Sequence, residues 1–250
     1  QTRYRIIVEY RENPAEALIQ AKNNPDLVVG PWLKGEKART KIIPIEYLFN
    51  EMRINSRLFY KPLLDLGAIK NRQYLLPVSF NLPAVLFAPE YSKRMENDYS
   101  ISLETIQSLS SDYNMQEDGQ YSRMGFSPRW NREFLFLAAQ MLGSRFEEGS
   151  HYLTWNDRLL PAGIEYLRNW SRSINTSTRT EDDFHFKYLY DPPYRLVTSG
   201  KSLFSYISSD ELLKMPPDKL QNVDFRWLMN DTVIPVRDDI VYMGICRKAR

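Results

Sequence analysis

The sequence predicts an α/β fold arranged as two lobes joined by crossing hinge strands, and three observations carry that expectation. Short β-branched segments alternate with helical stretches that bring their own caps and stops. The texture turns polar near residue 90, which places a lobe boundary there. Apolar strand texture returns near residue 236. The first lobe is therefore expected to hold residues 1–87 with a return strand in 236–250, and the second lobe residues 88–235.

In the first lobe, Tyr4 to Tyr10 is β-branched and aromatic and stops at R-E-N-P, so it predicts a strand, with an association hazard if left at an edge. A helix should follow, capped by Asn13, with Pro14 in its first position and Glu16 reaching back. The run P-D-L-V-V-G from Pro25 to Gly30 predicts a strand buried on both faces, as in a parallel sheet. Strand, helix and strand would then form a right-handed βαβ unit. That order puts Trp32 at the carboxyl end of a strand, where open α/β sheets bind ligands. Residues 44–67 are expected to be mostly helical, with Pro62 breaking the run. Asn71 to Phe80 predicts a strand pair with Pro77 at a bend or edge, and A-V-L-F-A after Pro83 an apolar crossing strand.

In the second lobe a short helix is expected over 103–109. A longer one follows Asn131, with Phe134, Leu137, Ala138 and Met141 as its apolar stripe and Gly143 as its stop. Another fits residues 157–170 with Asn156 as cap and Ile164, Leu167 and Trp170 inward. Residues 171–183 look like a polar loop. S-G-K-S-L-F-S-Y-I predicts a buried strand entered through Gly200, and I-V-Y-M-G-I from Ile240 a final strand.

Of 250 residues 43% are hydrophobic and 26% charged, an ordinary globular balance. A net charge of +2 implies no nucleic-acid partner. Cys246 is the single cysteine, and His151 and His185 are the only histidines, so neither an intrachain disulfide nor a thiolate- or histidine-rich metal site is expected. No phosphate-cradling glycine loop, nucleophile elbow or zinc-protease string occurs, and no cofactor is implied. The acid pairs Asp182–Asp183 and Asp238–Asp239 could supply the two carboxylates of a glycosidase, but adjacent acids on a loop are ordinarily a solvated surface. The N-T-S sequon at Asn175 is a weak signal.

The aromatics are more informative. Trp32, Trp130, Trp155 and Tyr206 each stand beside a turn, a helix start or a strand end. Flat rings with amides nearby suit carbohydrate, because the rings cover C–H faces while Asn and Asp take hydroxyls. The bland alternative is packing at element ends, which fits Trp170 and Trp227 better.

The order of these elements resembles that of the family 1 extracellular solute-binding proteins, which include the maltose- and oligosaccharide-binding receptors of bacterial importers. The resemblance rests on the strand Pro25 to Val29 with its following segment Gly30 to Gly35, and on L-L-P-V-S-F-N-L-P-A-V-L-F. It rests also on the helices within Trp130 to Gly143 and Asn156 to Ile174, on S-G-K-S-L-F-S at Ser199 to Ser205, and on Val233 to Pro235 with Val241 to Arg247. The family opens with a further strand and helix and continues past the return strand. The chain is therefore expected to be an internal portion of a longer receptor, or a shortened relative.

The resemblance implies a periplasmic-binding-protein-like fold whose lobes close on a ligand by hinge bending. It implies Trp32, Asn81, Trp130, Tyr206 and Ser208 as ligand contacts, with Gly244 permitting close backbone approach; Trp155 joins them as an aromatic. The implied partners are a small carbohydrate ligand and the permease subunits of an ABC transporter in the membrane. The implied location is periplasmic or extracellular, with a lipid anchor on a segment ahead of this chain. Binding needs no catalysis. A sensory or regulatory module using the same fold is the alternative, and a carbohydrate-active enzyme would require two carboxylates converging among the aromatics.

Overall fold

A computed structural model of the chain describes residues 5–248, except 145, 149–152, 156–157, 175–177, 230–234 and 236–239. It divides into two compact units: Gln1–Phe80 with Glu147–Thr154 and Asp238–Arg250, and Asn81–Phe146 with Trp155–Arg237.

The first unit is built on a three-stranded sheet. Val241–Ile245 lies in the middle, with Leu27–Gly30 on one side and Leu75–Ser79 on the other, both antiparallel to it. The middle strand belongs to the far end of the sequence, so this unit closes only when the chain returns. Pro77 lacks the N–H that a second neighbour would need, and it sits in a strand paired on one side only, beside a register shift at Val241/Tyr242. Ile45, Leu64 and Leu76 form the core on one face, supported by Phe49, Ile54 and Met243. The helix Pro14–Gln20 starts as expected: Asn13 Oδ1 accepts the Glu16 N–H at 3.1 Å, and Ala15 and Leu18 are buried. It packs so closely on the Leu27–Gly30 strand that a Cβ on Gly30 would fall 2.8 Å from the Pro14 ring. Cys246 is buried, and burial followed by the nearby Asp26 carboxylate pushes its thiol up to about 11.

Three expectations for this unit are corrected. Arg5 to Tyr10 forms no strand, and its apolar side chains are exposed. Leu27–Gly30 is neither parallel nor buried on both faces; Val28 is covered while Leu27 and Val29 are about half exposed. Among the described residues the βαβ unit is therefore absent, because Arg5 to Tyr10 is not a strand and Leu27–Gly30 takes an antiparallel partner from residues 241–245. Residues 44–67 form two short helices, Glu46–Asn50 and Lys61–Leu66, around the 3-10 turn Ser56–Leu58. Pro62 opens the second helix instead of ending one, since the first turn has no use for the missing N–H.

The second unit has a four-stranded sheet. Pro83–Phe87 is central and wholly buried, with Ser205–Ser208 antiparallel on one side and Asp224–Leu228 antiparallel on the other. Ser100–Ile101 adds a parallel edge. The boundary between units falls at Phe80/Asn81, ahead of residues 83–87, because those residues hydrogen-bond to strands of the second unit. One face of the sheet is covered by Leu103–Tyr113, Arg132–Met141 and Leu160–Ile174, which enclose Phe87, Phe134, Trp170 and Phe204. Asn131 caps Arg132–Met141 through bonds from the Glu133 and Phe134 N–H groups, and Gly143 follows in the left-handed region at φ 97°. All four expected stripe residues are buried.

Here too the structure differs in places. The helix expected over 103–109 runs on to Tyr113. The helix expected over 157–170 is Leu160–Ile174, with Ile164 exposed while Leu167 and Trp170 are buried. Residues 171–183 are not a loop: Thr178–Lys187 is helical, stabilised by Phe184, which packs with Tyr121 and Met124. Asn156, Asn175, His151, Val233, Ile234, Asp238 and Asp239 lie outside the described residues.

Candidate functional site

In the first unit the strand Leu27–Gly30 ends in P-W-L-K-G. Leu33 is fully buried and anchors this turn, whereas Trp32 is 52% exposed with φ 62°. A bulky residue in the left-handed region costs about 1–3 kcal/mol, so surrounding structure must impose it. The consequence is a large ring held at the strand end and largely open to solvent. Gly244 plays a different part. It is buried in the middle strand, where a Cβ would meet Leu75 Cδ2 at 3.0 Å and Ile42 Cγ2 at 3.1 Å, so its missing side chain serves internal packing.

In the second unit the structure brings Asn81 and Ser208 together at the start of Pro83–Phe87 and the end of Ser205–Ser208. Ser209, which the sequence reading misses, bonds to Asn81 and to Leu82. Its hydroxyl donates to Asn81 Oδ1 at 3.2 Å and accepts from the Leu82 N–H at 3.0 Å. Asn81 Oδ1 also accepts the Asp210 N–H at 3.1 Å, in the first turn of helix Ser209–Lys214. Ser208 is the cap of that helix: its hydroxyl accepts the Glu211 N–H, and Glu211 returns a bond to the Ser208 N–H at 3.0 Å. The capping box accounts for Ser208, and the S-S-D-E spacing could have revealed it.

The aromatics divide by burial. Tyr206 is 5% exposed and packs edge-on against Phe134 at 5.9 Å, within the core. Trp130 stacks on His185 at 5.9 Å and on Phe184 at 5.6 Å, with Phe126 against its edge. Trp155 is half exposed at the end of Leu153–Trp155. Trp32 and Trp155 thus present ring surface, and Trp130 and Tyr206 spend theirs on neighbours.

Beside Trp130 stands a charged group that the sequence reading also misses. Arg129 reaches Asp182 at 3.2 Å and the fully buried Glu181 at 3.6 Å, and the Ser171 hydroxyl donates to Glu181 at 3.3 Å. Asp182 is therefore an ion-pair partner on a helix, not half of a loop acid pair. Burial holds the His185 imidazole below its ordinary pKa, partly opposed by Asp182. Folding then favours the neutral ring, so this contribution is complete above the unfolded value of about 6.5 and is lost as pH falls through the lower folded value. The thermal midpoint is expected to drop as the pH falls below about 6.5, and His185→Phe, which keeps a flat ring, should flatten that slope. Superimposable pH profiles for the two proteins would exclude this role.

A cleft of about 770 Å³ lies at the other end of the Pro83–Phe87 strand from Asn81, lined by Tyr91, Tyr113, Tyr194, Arg195 and Asn222. None of the residues anticipated from sequence lines it. Among the described residues no group of three His, Cys, Asp or Glu side chains could hold a metal ion, and no helix is long and apolar enough to cross a membrane.

No protein-family model matches the chain, and no curated protein matches it by sequence. Solved structures do. The structure described as CpMnBP1 with mannotriose bound aligns with a TM-score of 0.62 at 16% identity, covering 93% of this chain and 62% of that one. The bacterial solute receptor AcbH, described as having an exclusive preference for β-D-galactopyranose, gives 0.58 at 12% identity, covering 94% and 60%. A family 1 extracellular solute-binding protein from Alicyclobacillus acidocaldarius gives 0.59 at 13% identity, covering 94% and 59%. The chain has the periplasmic-binding-protein-like fold of these solute receptors and spans about three fifths of their length.

Proposed function

We propose that this chain is the ligand-capturing part of a receptor for an ABC importer, that it takes a sugar or oligosaccharide, and that it works by hinge closure without catalysis. The observation that carries the reading is Trp32, an exposed indole forced out of a left-handed backbone at a strand end, in a fold otherwise found in sugar-binding solute receptors. Trp155 adds a second open ring, and Asn81 with Ser209 a polar cluster at the start of the second unit. Packing and capping account for Trp130, Tyr206 and Ser208 within the second unit and for Gly244 within the first. A receptor of this kind acts outside the cytoplasmic membrane and passes its ligand to permease subunits. Closure is favoured only to the extent that ligand binds the closed state better than the open one.

Calorimetric titration with mannotriose, galactose and maltotetraose tests the reading. At least one should bind and be recovered unchanged. Trp32→Ala is expected to weaken that binding by about 1–3 kcal/mol, the usual range for a large aromatic contact, with the thermal midpoint nearly unchanged because the ring is half exposed. Trp32→Gly should lose affinity equally while gaining stability, because glycine adopts positive φ without strain. Unaltered affinity in both variants, with loss in Tyr194→Ala, would move the ligand to the 770 Å³ cleft and withdraw Trp32. Cleavage of any of these saccharides would overturn the non-catalytic assignment.

A further inference from the structure

The cleft at the far end of the Pro83–Phe87 strand belongs wholly to the second unit, whereas Trp32 belongs to the first. Four segments distant in sequence build it. The 3-10 helix Pro89–Arg94 brings Glu90 and Tyr91, the helix Leu103–Tyr113 ends on Tyr113, and the helix Pro193–Thr198 brings Tyr194; Asn222 comes from the turn ahead of Asp224–Leu228. Its volume of about 770 Å³ is that of a small-molecule site. The walls are held in place. The Tyr113 hydroxyl donates to the Gly200 carbonyl at 2.8 Å, and the Tyr91 and Tyr113 rings meet edge to face at 6.0 Å. Ser92 donates to Asp224 at 2.6 Å, which pins the 3-10 helix to a sheet strand, and Tyr194 packs on the cluster of Ala84, Leu86 and Val197.

The chemistry of this lining selects a class of ligand. Its two cations are already engaged: Arg195 reaches Asp191 at 3.2 Å, and Lys219 reaches Asp218 at 3.2 Å. An anion would compete with those carboxylates and would also meet Glu90. A cation fares no better, because the Arg123 guanidinium already lies 4.6 Å from the centroid of the Tyr113 ring, and that of Arg94 lies 5.8 Å from the centroid of Tyr91. The groups that remain open are mostly uncharged. Among the described residues the Tyr91 and Tyr194 hydroxyls make no hydrogen bond, and Tyr113 spends only its proton. Asn222 donates from Nδ2 to the Asp218 carbonyl at 2.8 Å and keeps its Oδ1 open. The partly buried Tyr194 ring has no other ring or cation against it among the described residues. A flat apolar face beside hydroxyl and amide oxygens fits a ring with an apolar C–H face and hydroxyls around its edge.

We propose that this cleft is a second binding site, independent of Trp32, for an uncharged, hydroxyl-rich ring the size of a single pyranose. The C–H face of that ring lies on Tyr194, and its hydroxyls bond to Asn222, Tyr91 and Glu90.

Residue-resolved NMR titration of the full chain tests this with galactose, which is uncharged, galacturonate, which carries a carboxylate, and choline, a cation. Galactose should shift the amide signals of Tyr91, Tyr113, Gly200 and Asn222, and should do so at lower concentration than the two charged probes. The shifts should be equal in Trp32→Ala, so they remain even if Trp32 itself binds nothing. Tyr194→Phe keeps the packed ring and removes its hydroxyl, and Asn222→Ala removes an exposed amide. Each should raise the dissociation constant read from those shifts by roughly two- to tenfold, the worth of one hydrogen bond, with the thermal melt nearly unchanged. Galactose that moves none of the four signals overturns the proposal. So does a preference for galacturonate or choline, a dissociation constant unaltered in both cleft variants, or loss of the shifts in Trp32→Ala.

Discussion

Trp170→Ala is expected to cost about 3–5 kcal/mol of stability, the range for truncating a buried tryptophan. The side chain is 1% exposed on the inner face of Leu160–Ile174, with its ring centroid 5.7 Å from Phe134 and 6.2 Å from Phe126. Removing it takes away the contact that joins this helix to Arg132–Met141 and to the segment around Phe126, and the rigid rings on either side cannot close the space. Ile164→Ala, on the same helix but 56% exposed, serves as the internal standard and should shift stability by no more than about 0.5 kcal/mol. Urea denaturation followed by fluorescence and circular dichroism measures both. A loss below ~1 kcal/mol for Trp170→Ala would mean that the aromatic core of the second unit is not packed as described.

Gly125→Ala should be nearly as damaging, for a different reason. An added Cβ would lie 2.2 Å from Ser110 Cα and 2.4 Å from Ser110 O, so it meets the backbone of the helix Leu103–Tyr113 and no movable side-chain tip. Nor can Gly125 retreat. Its N–H donates to Asn114 Oδ1 at 2.8 Å, and its carbonyl accepts the Phe204 N–H at 3.0 Å and the Ser202 hydroxyl at 3.1 Å. Relief requires either breaking these bonds or displacing the helix, and overpacking of this kind costs about 3 kcal/mol. Gly163→Ala provides the contrast, because its Cβ would find only ordinary contacts at 3.7–3.8 Å within a helix. That change should stabilise by about 0.5–1 kcal/mol through reduced freedom of the unfolded chain. Equal midpoints for the two variants would show that the close approach of residue 125 to residue 110 does not exist.

Much of the second unit was legible beforehand, because its signals are local. An asparagine followed by an apolar stripe at helical spacing and then a glycine specifies Arg132–Met141 within a few turns of chain, whatever surrounds it. The same holds for the strand in P-A-V-L-F-A and for the cap at Asn13. The placement of one proposed contact was legible on the same terms: a tryptophan just after a strand was expected at its carboxyl end, and Trp32 stands there, exposed.

Three things were decided only by tertiary structure. Arg5 to Tyr10 has strand composition, but a strand exists only when another backbone supplies its hydrogen bonds, and composition does not say whether one will. Thr178–Lys187 looks like a loop because its threonines, aspartates and histidine have weak helix preference; burying Phe184 against Tyr121 and Met124 outweighs that preference. Trp130 and Trp32 occupy similar positions in the sequence, each beside a turn. Trp130 is covered because His185 and Phe184, more than 50 residues away, arrive on its ring, and Trp32 is open because among the described residues no such neighbours arrive. The sequence by itself determined the periodic helices, their caps and the buried strand, since those depend on residues within a turn or two. Strand pairing, and the choice of which aromatic packs and which is presented, belong to the tertiary structure, because both depend on residues far apart along the chain.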